Sequence, residues 1–281
     1  MKQILIVFFT LIFGAAFCQG DIITASQAAK MIKGNKNIRI IDASKSKIYQ
    51  AAHLKNAINI SVADLVNDDE IPGILKSPQQ LAAIFGSKGI SDKNEIIVYD
   101  EGSQKYSSRM YWILKYLGVA NVKILHKDNN DWRKARLVQT SQKPDFKKAT
   151  FLPKPDASVL ATMEETEKAV KNPAVLIVDA RSPEKYNGTD EASDGHIPTA
   201  INLYYKDVLT ASNAFKSREA LQKLVADRGI TPEKEVIVYC MTGIKAAVVY
   251  VALTQVLDFK KVKLYDGAYE EWWANYKPLV K

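Results

Sequence analysis

Cys240 is followed by Met241, Thr242, Gly243, Ile244, Lys245 and Ala246, and preceded by the β-branched run Val236-Ile237-Val238-Tyr239. A short apolar run of this kind reads as a strand covered on both faces. Residues 246–257 continue apolar, long enough for a helix. Gly243 can take the positive φ that a sharp strand-to-helix loop needs. The thiol of Cys240 therefore lies at the carboxyl end of a strand, facing loop N–H groups and a helix N-terminus. Such a nest binds anions and favours thiolate over thiol. Cys240 is thus the candidate nucleophile, and the main chain from Met241 to Ala246 the candidate anion cradle.

The elements that must position this loop occur twice. Val175-Leu176-Ile177-Val178-Asp179-Ala180-Arg181 repeats the strand Ile38-Arg39-Ile40-Ile41-Asp42-Ala43-Ser44. The stretch Gly195-His196-Ile197-Pro198 repeats the surroundings of His53, in residues 49–60, which read as loop. Glu235 to Tyr239 repeats Glu95 to Tyr99, and Val262 to Tyr265 with Trp272 repeats Val122 to Leu125 with Trp132. Helices are expected from a Thr24 or Ser26 cap, over residues 77–85 and over residues 107–117. One element order in two copies means a tandem duplication, and alternating strands and helices argue for two α/β domains with mainly parallel sheets. The boundary falls in a Pro- and Lys-rich linker, residues 139–157, separating residues 21–138 from residues 158–281.

These boxes carry a family resemblance. Cys240-x-x-Gly243-x-x-Ala246 after an apolar strand resembles the active loop of rhodanese-type sulfurtransferases. Asp179-Ala180-Arg181, Gly195-His196-Ile197-Pro198 and the closing Tyr265-Asp266-Gly267-Ala268-Tyr269-Glu270-Glu271-Trp272 are similar to the family's other boxes. Ser107-Ser108-Arg109-Met110-Tyr111-Trp112 resembles a helix of its non-catalytic amino-terminal domain. The resemblance implies two tandem rhodanese-like domains, each a mainly parallel sheet flanked by helices, and no cofactor. It also implies transfer of a sulfane sulfur from thiosulfate or 3-mercaptopyruvate, through a Cys240 persulfide, to a thiophilic acceptor such as cyanide, a thiol or a protein cysteine.

The two halves are chemically unequal. Asp100 stands where the second half has Cys240, and Ser44 where it has Arg181, so the first half is expected to be inactive. Arg181 is the candidate for fixing the donor's sulfonate or carboxylate through a bidentate pair. Asp179 and His196 read as structural, because Asp42 and His53 persist in the half without a nucleophile. Asp266-Gly267 reads as a turn, and Trp272 and Trp273 as core or cleft wall. Lys245 supplies one positive charge late in the loop, whereas Lys185 and Asn187 stand where mercaptopyruvate enzymes often have a further arginine. The balance leans to thiosulfate.

Lys plus Arg number 39 against 31 acidic residues, a net charge of +8, spread without an Arg-rich run or aromatic stripe. Nucleic-acid binding is therefore not expected. The only cysteines are Cys18 and Cys240, so neither a disulfide framework nor a Cys/His metal spacing is present, and no metal is expected. Residues 1–20 combine Lys2, an apolar stretch over residues 4–13 and small residues at Gly14, Ala15 and Ala16. This is the pattern of a secretory signal peptide, placing the protein in a periplasm or outside the cell. The stretch is too short for a stable membrane span, and Phe17 before Cys18 argues against a lipid anchor there. A Cys-loop phosphatase would need one more loop residue and a closing Arg. The remaining alternative is a non-enzymatic binding module, or a persulfide carrier serving one exported partner protein.

Overall fold

The structure is a computed structural model, and it describes residues 20–67, 71–191 and 193–281. The expected signal peptide lies outside the described residues, apart from Gly20. The first half comprises β1 (Ile22–Ile23), α1 (Ala25–Ile32), β2 (Ile38–Asp42), α2 (Ser46–Ala51), β3 (His53–Leu54), β4 (Ala57–Asn59), α3 (Pro78–Ser87), β5 (Glu95–Tyr99), α4 (Lys105–Tyr116), β6 (Val122–Leu125), α5 (Asn129–Lys134) and β7 (Gln139–Thr140). The second comprises β8 (Leu160–Ala161), α6 (Met163–Val170), β9 (Val175–Asp179), α7 (Pro183–Tyr186), β10 (Ile201–Asn202), α8 (Arg218–Ala226), β11 (Glu235–Tyr239), α9 (Ile244–Val251), β12 (Val262–Tyr265) and α10 (Ala268–Ala274).

Each half carries a five-stranded parallel sheet. The orders are β1-β6-β5-β2-β4 and, in matching sequence, β8-β12-β11-β9-β10. Even the register is repeated: Glu95 opposes Ile38 as Glu235 opposes Val175. The central strands alternate between two cores. Ile96 and Val98, like Val236 and Val238, enter a cluster shared by both halves. Ile97 and Tyr99 face a second cluster, and Ile237 and Tyr239 a third. Parallel strands covered on both faces require such unbroken apolar runs.

The shared cluster is where the halves join. In α9 every residue from Ala246 to Val251 is buried, and α4 packs along it with Met110 to Leu114 buried in turn. A helix that is apolar all round must be enclosed, and here the partner helix of the other half encloses it.

Two expectations change, and the linker takes a definite form. Residues 49–60 hold the end of α2 and both β3 and β4. Tyr49 Oη donates to the Ala57 carbonyl at 2.8 Å, and Tyr99 Oη receives the Leu54 N–H at 3.0 Å, so buried tyrosines pin these short elements. Within the linker, β7 pairs antiparallel with β3, and Phe151 is buried against Phe85 of the first half. The helix after Cys240 ends at Val251, and a π-helical turn, Ala252–Val256, completes the stretch read as one helix.

Candidate active site

Asp100 shows what the strand-end loop can do. Its Oδ1 accepts the N–H groups of Gly102 at 2.8 Å and Gln104 at 3.2 Å. Its Oδ2 accepts those of Tyr106 and Ser107, each at 3.1 Å, and the hydroxyls of Ser103 and Ser107. A buried carboxylate is thus enclosed by the nest that leads into α4, with Gln104 in the left-handed conformation at its N-cap. The first half holds its anion as part of its own chain.

The second half has the same strand, turn and helix start, with Gly243 as N-cap at φ 78°. Here the residue at the strand end is Cys240, uncharged when protonated and able to accept a sulfur atom. Among the described residues, no acceptor is bound by the N–H groups of Met241, Thr242, Gly243, Ile244, Lys245 or Ala246. The loop is held from behind instead. The main-chain carbonyls of Cys240 and Met241 accept the N–H groups of Tyr269 at 2.9 Å and Glu270 at 3.2 Å, from the start of α10. Six donors are left free on the loop whose counterpart closes on a carboxylate. Such an array stabilises developing negative charge without reorganising.

Cys240 is only 1% exposed. The first half covers it: a Cβ at Gly73 would lie 2.7 Å from Thr242 Cβ, and the Leu75 N–H donates to Asp266 Oδ2 at 2.9 Å. A cavity of about 570 Å³ lies elsewhere, between α1 and the chain after α5 in the first half, and has no part of the Cys240 loop in its lining.

Arg181 is a correction. Its guanidinium has no exposed surface and does not face the loop as an anion clamp. Nε donates to both Asp179 oxygens at 3.0 Å and Nη2 to Oδ2 at 2.6 Å, while Nη1 meets Ser193 Oγ at 3.1 Å and Nη2 the Gly195 carbonyl at 2.8 Å. Burial alone would lower its pKa, but the Asp179 hydrogen bonds and charge outweigh it and the pKa rises. With its donors committed, Arg181 ties β9 to the Gly195 segment. Lys245 is also engaged, its ammonium lying 5.6 Å from the Tyr205 ring centre. Lys185 lies 3.6 Å from Asp190.

Asp179 and His196 have structural partners. The Asp179 carboxylate also accepts the Arg181 N–H, and His196 Nδ1 bonds the Tyr186 carbonyl at 2.9 Å with its ring stacked on Tyr186. His53 and Tyr49 repeat that pair. Trp272 is core, whereas Trp273 is half exposed and donates to Asp194. Sequence reasoning gave no role to Arg109, Gly73 or Asp266 at this loop. Only one signal pointed to any of them: Arg109 is a cation directly preceding the apolar run Met110 to Leu114 of α4.

Fold and loop together define a duplicated parallel α/β domain in which one copy presents a cysteine nest and the other fills its nest with a carboxylate. A family model described as the rhodanese-like domain matches residues 24–135 and 162–275. The chain belongs to the rhodanese-like family, as one of its tandem-domain sulfurtransferases of the thiosulfate and 3-mercaptopyruvate group. It is 26% identical over 259 residues to a thiosulfate sulfurtransferase of Corynebacterium glutamicum, covering 85% of this chain and 83% of the relative. It is 29% identical over 240 residues to the 3-mercaptopyruvate sulfurtransferase of Escherichia coli, covering 83% and 85%. The crystal structure of the 3-mercaptopyruvate sulfotransferase SseA from Escherichia coli superimposes with a TM-score of 0.81 at 27% identity, covering 89% of this chain and 99% of that one.

Proposed function

We propose that this chain moves a sulfane sulfur from thiosulfate to a thiophilic acceptor through a persulfide on Cys240. The observation that carries this reading is the contrast between the nests: one closes on Asp100, the other offers its donors around a thiol. The Cys240 thiolate attacks the outer sulfur of thiosulfate. The S–S bond breaks with its electron pair leaving on sulfite, and the new terminal sulfur carries the negative charge. Cyanide or a thiolate then attacks that sulfur and restores the Cys240 thiolate. The free N–H groups from Met241 to Ala246 stabilise the persulfide anion, as an oxyanion hole would.

With 3-mercaptopyruvate the C–S bond breaks instead, and the enolate takes up the thiol proton to give pyruvate. Thiosulfate is favoured because Lys185 and Asn187 stand where mercaptopyruvate enzymes often have a further arginine, and Lys185, which lies beside Asp190, offers a carboxylate no bidentate fork. The pattern of residues 1–20 supports work outside the cytoplasm, in a periplasm or as a secreted protein.

Mass spectrometry of the intact protein after incubation with each donor tests the reading. Wild type is expected to gain one sulfur atom from thiosulfate and lose it on adding cyanide, and Cys240→Ala to gain none. Absence of added sulfur from both donors would overturn the enzymatic reading in favour of a binding module.

A further inference from the structure

The inactive half reaches the thiol loop through a side chain that the reaction above does not use. Arg109, on α4, is completely buried, with its guanidinium 4.7 Å from the Trp112 ring centre. Nη2 donates to Asp266 Oδ1 and to the Gly73 carbonyl at 3.3 Å. Nε and Nη1 have no hydrogen-bond partner and no contact with solvent. Nη1 is also the atom nearest to where a Cβ on Gly243 would lie, at 2.8 Å. A charged donor edge without an acceptor therefore rests against the N-cap of α9, at the end of the Cys240 nest.

The first half shows what normally fills this place. Its N-cap is Gln104, whose amide Nε2 donates to Nδ1 of His126 at 2.8 Å. His126 directly follows β6, as Asp266 directly follows β12. In the second half Gly243 has no side chain, and the Arg109 guanidinium lies against the place its Cβ would take, paired with Asp266, the residue that follows β12 as His126 follows β6. A neutral amide and imidazole accompany the nest that owns a carboxylate, for burial lowers the pKa of His126. A guanidinium accompanies the nest that owns only a thiol. Gly243 is thus required twice, for its positive φ and for the space that Arg109 occupies.

We propose that Arg109 is a positioning residue of the Cys240 site. It fixes the loop through Gly243 and Asp266, and supplies the positive charge that draws an anionic sulfur donor and holds the persulfide. The site is then complete only with the first half present. The choice of donor rests on the sulfurtransferase reading, whereas the charge itself can be measured independently of it.

The test alkylates Cys240 of the folded, sulfur-free protein at one pH with anionic iodoacetate and neutral iodoacetamide, locating the label by peptide mapping. Both reagents consume the same thiolate, so changes in its population or in loop order move the two rates together. Their ratio reports local charge. Arg109→Gln is expected to lower the iodoacetate to iodoacetamide ratio roughly tenfold, and Arg109→Lys to retain most of it. Removing Arg109 alone strands Asp266, so Arg109→Gln/Asp266→Asn, which leaves no unpaired charge, serves as a second variant and should show a smaller drop in the same direction, because a negative charge leaves with the positive one. An unchanged ratio, equal falls with both reagents, no retention by Lys, or a wild-type Cys240 that neither reagent reaches would each overturn the proposal. A charge-sensitive ratio in a protein that loads no sulfur would support Arg109 and refute the sulfurtransferase reading alone.

Discussion

Removing the carboxylate of Asp100 tests whether the strand-end nest truly requires an anion. In Asp100→Ala four main-chain N–H groups lose their acceptor, two of them, on Gln104 and Ser107, in fully buried residues. A buried donor left unpaired costs about 1–3 kcal/mol, while the half-buried Gly102 and Tyr106 groups lose less. The expected destabilisation is about 3–5 kcal/mol. Asp100→Asn keeps one oxygen but turns an NH2 group toward other donors, and should cost about 2 kcal/mol.

Urea unfolding of the three proteins measures these differences, and a sulfate titration adds the decisive control. A nest stripped of its own carboxylate should bind a small anion in its place. Sulfate should therefore stabilise Asp100→Ala by about 2.7 kcal/mol at a hundredfold excess over its dissociation constant, beyond any effect on wild type. A loss below about 1 kcal/mol in Asp100→Ala, or sulfate acting equally on both proteins, would refute the reasoning that reads the Cys240 loop as an anion cradle.

Arg181→Ala should act on stability and not selectively on donor binding. Stranding the buried Asp179 carboxylate is expected to cost about 3–5 kcal/mol in thermal or urea unfolding, whereas a KM for thiosulfate that rises strongly with stability intact would restore the anion clamp. His126 should make stability fall in mild acid. Burial lowers its folded pKa below the ordinary 6.5, so the unfolded chain binds the proton more tightly. Its penalty appears as pH falls through about 6.5 and levels off below the folded pKa. His126→Gln should flatten that part of the urea midpoint against pH, and an unchanged slope would count against it.

How much was legible in the sequence depended on how far apart the interacting residues lie. Strands Glu95–Tyr99, Val122–Leu125, Glu235–Tyr239 and Val262–Tyr265 were readable to the residue, because burial on both faces demands apolar runs. The start of α1 was narrowed to Thr24 or Ser26, and a capping box closed by Gln27 selects Thr24, while Ser77, read as part of the helix, is instead its cap through Gln80. Strands β3 and β4 were not readable, since tyrosine hydroxyls from other elements hold them and no period marks them. Arg181 misled because its type suits an anion clamp, while only the fold shows its fork turned back onto Asp179. Arg109 could not be placed because its carboxylate partner is 157 residues away.

The two nests solve one physical problem in opposite ways. A strand-to-helix turn inevitably aims N–H groups at one point, and buried donors require an acceptor. The first half meets that need with Asp100, which makes the turn self-sufficient and closes it to chemistry. The second half has no such carboxylate, and the same main-chain donors stand beside a thiol, where an arriving anion can accept them. The loop keeps its shape without an internal acceptor because α9 is packed between its own sheet and α4. The first copy thus contributes the enclosing helix, the cover at Gly73 and the Arg109 charge to the copy that carries Cys240. The duplication persists as one site built from two halves, and a second half expressed alone would expose the apolar face of α9 that α4 now buries.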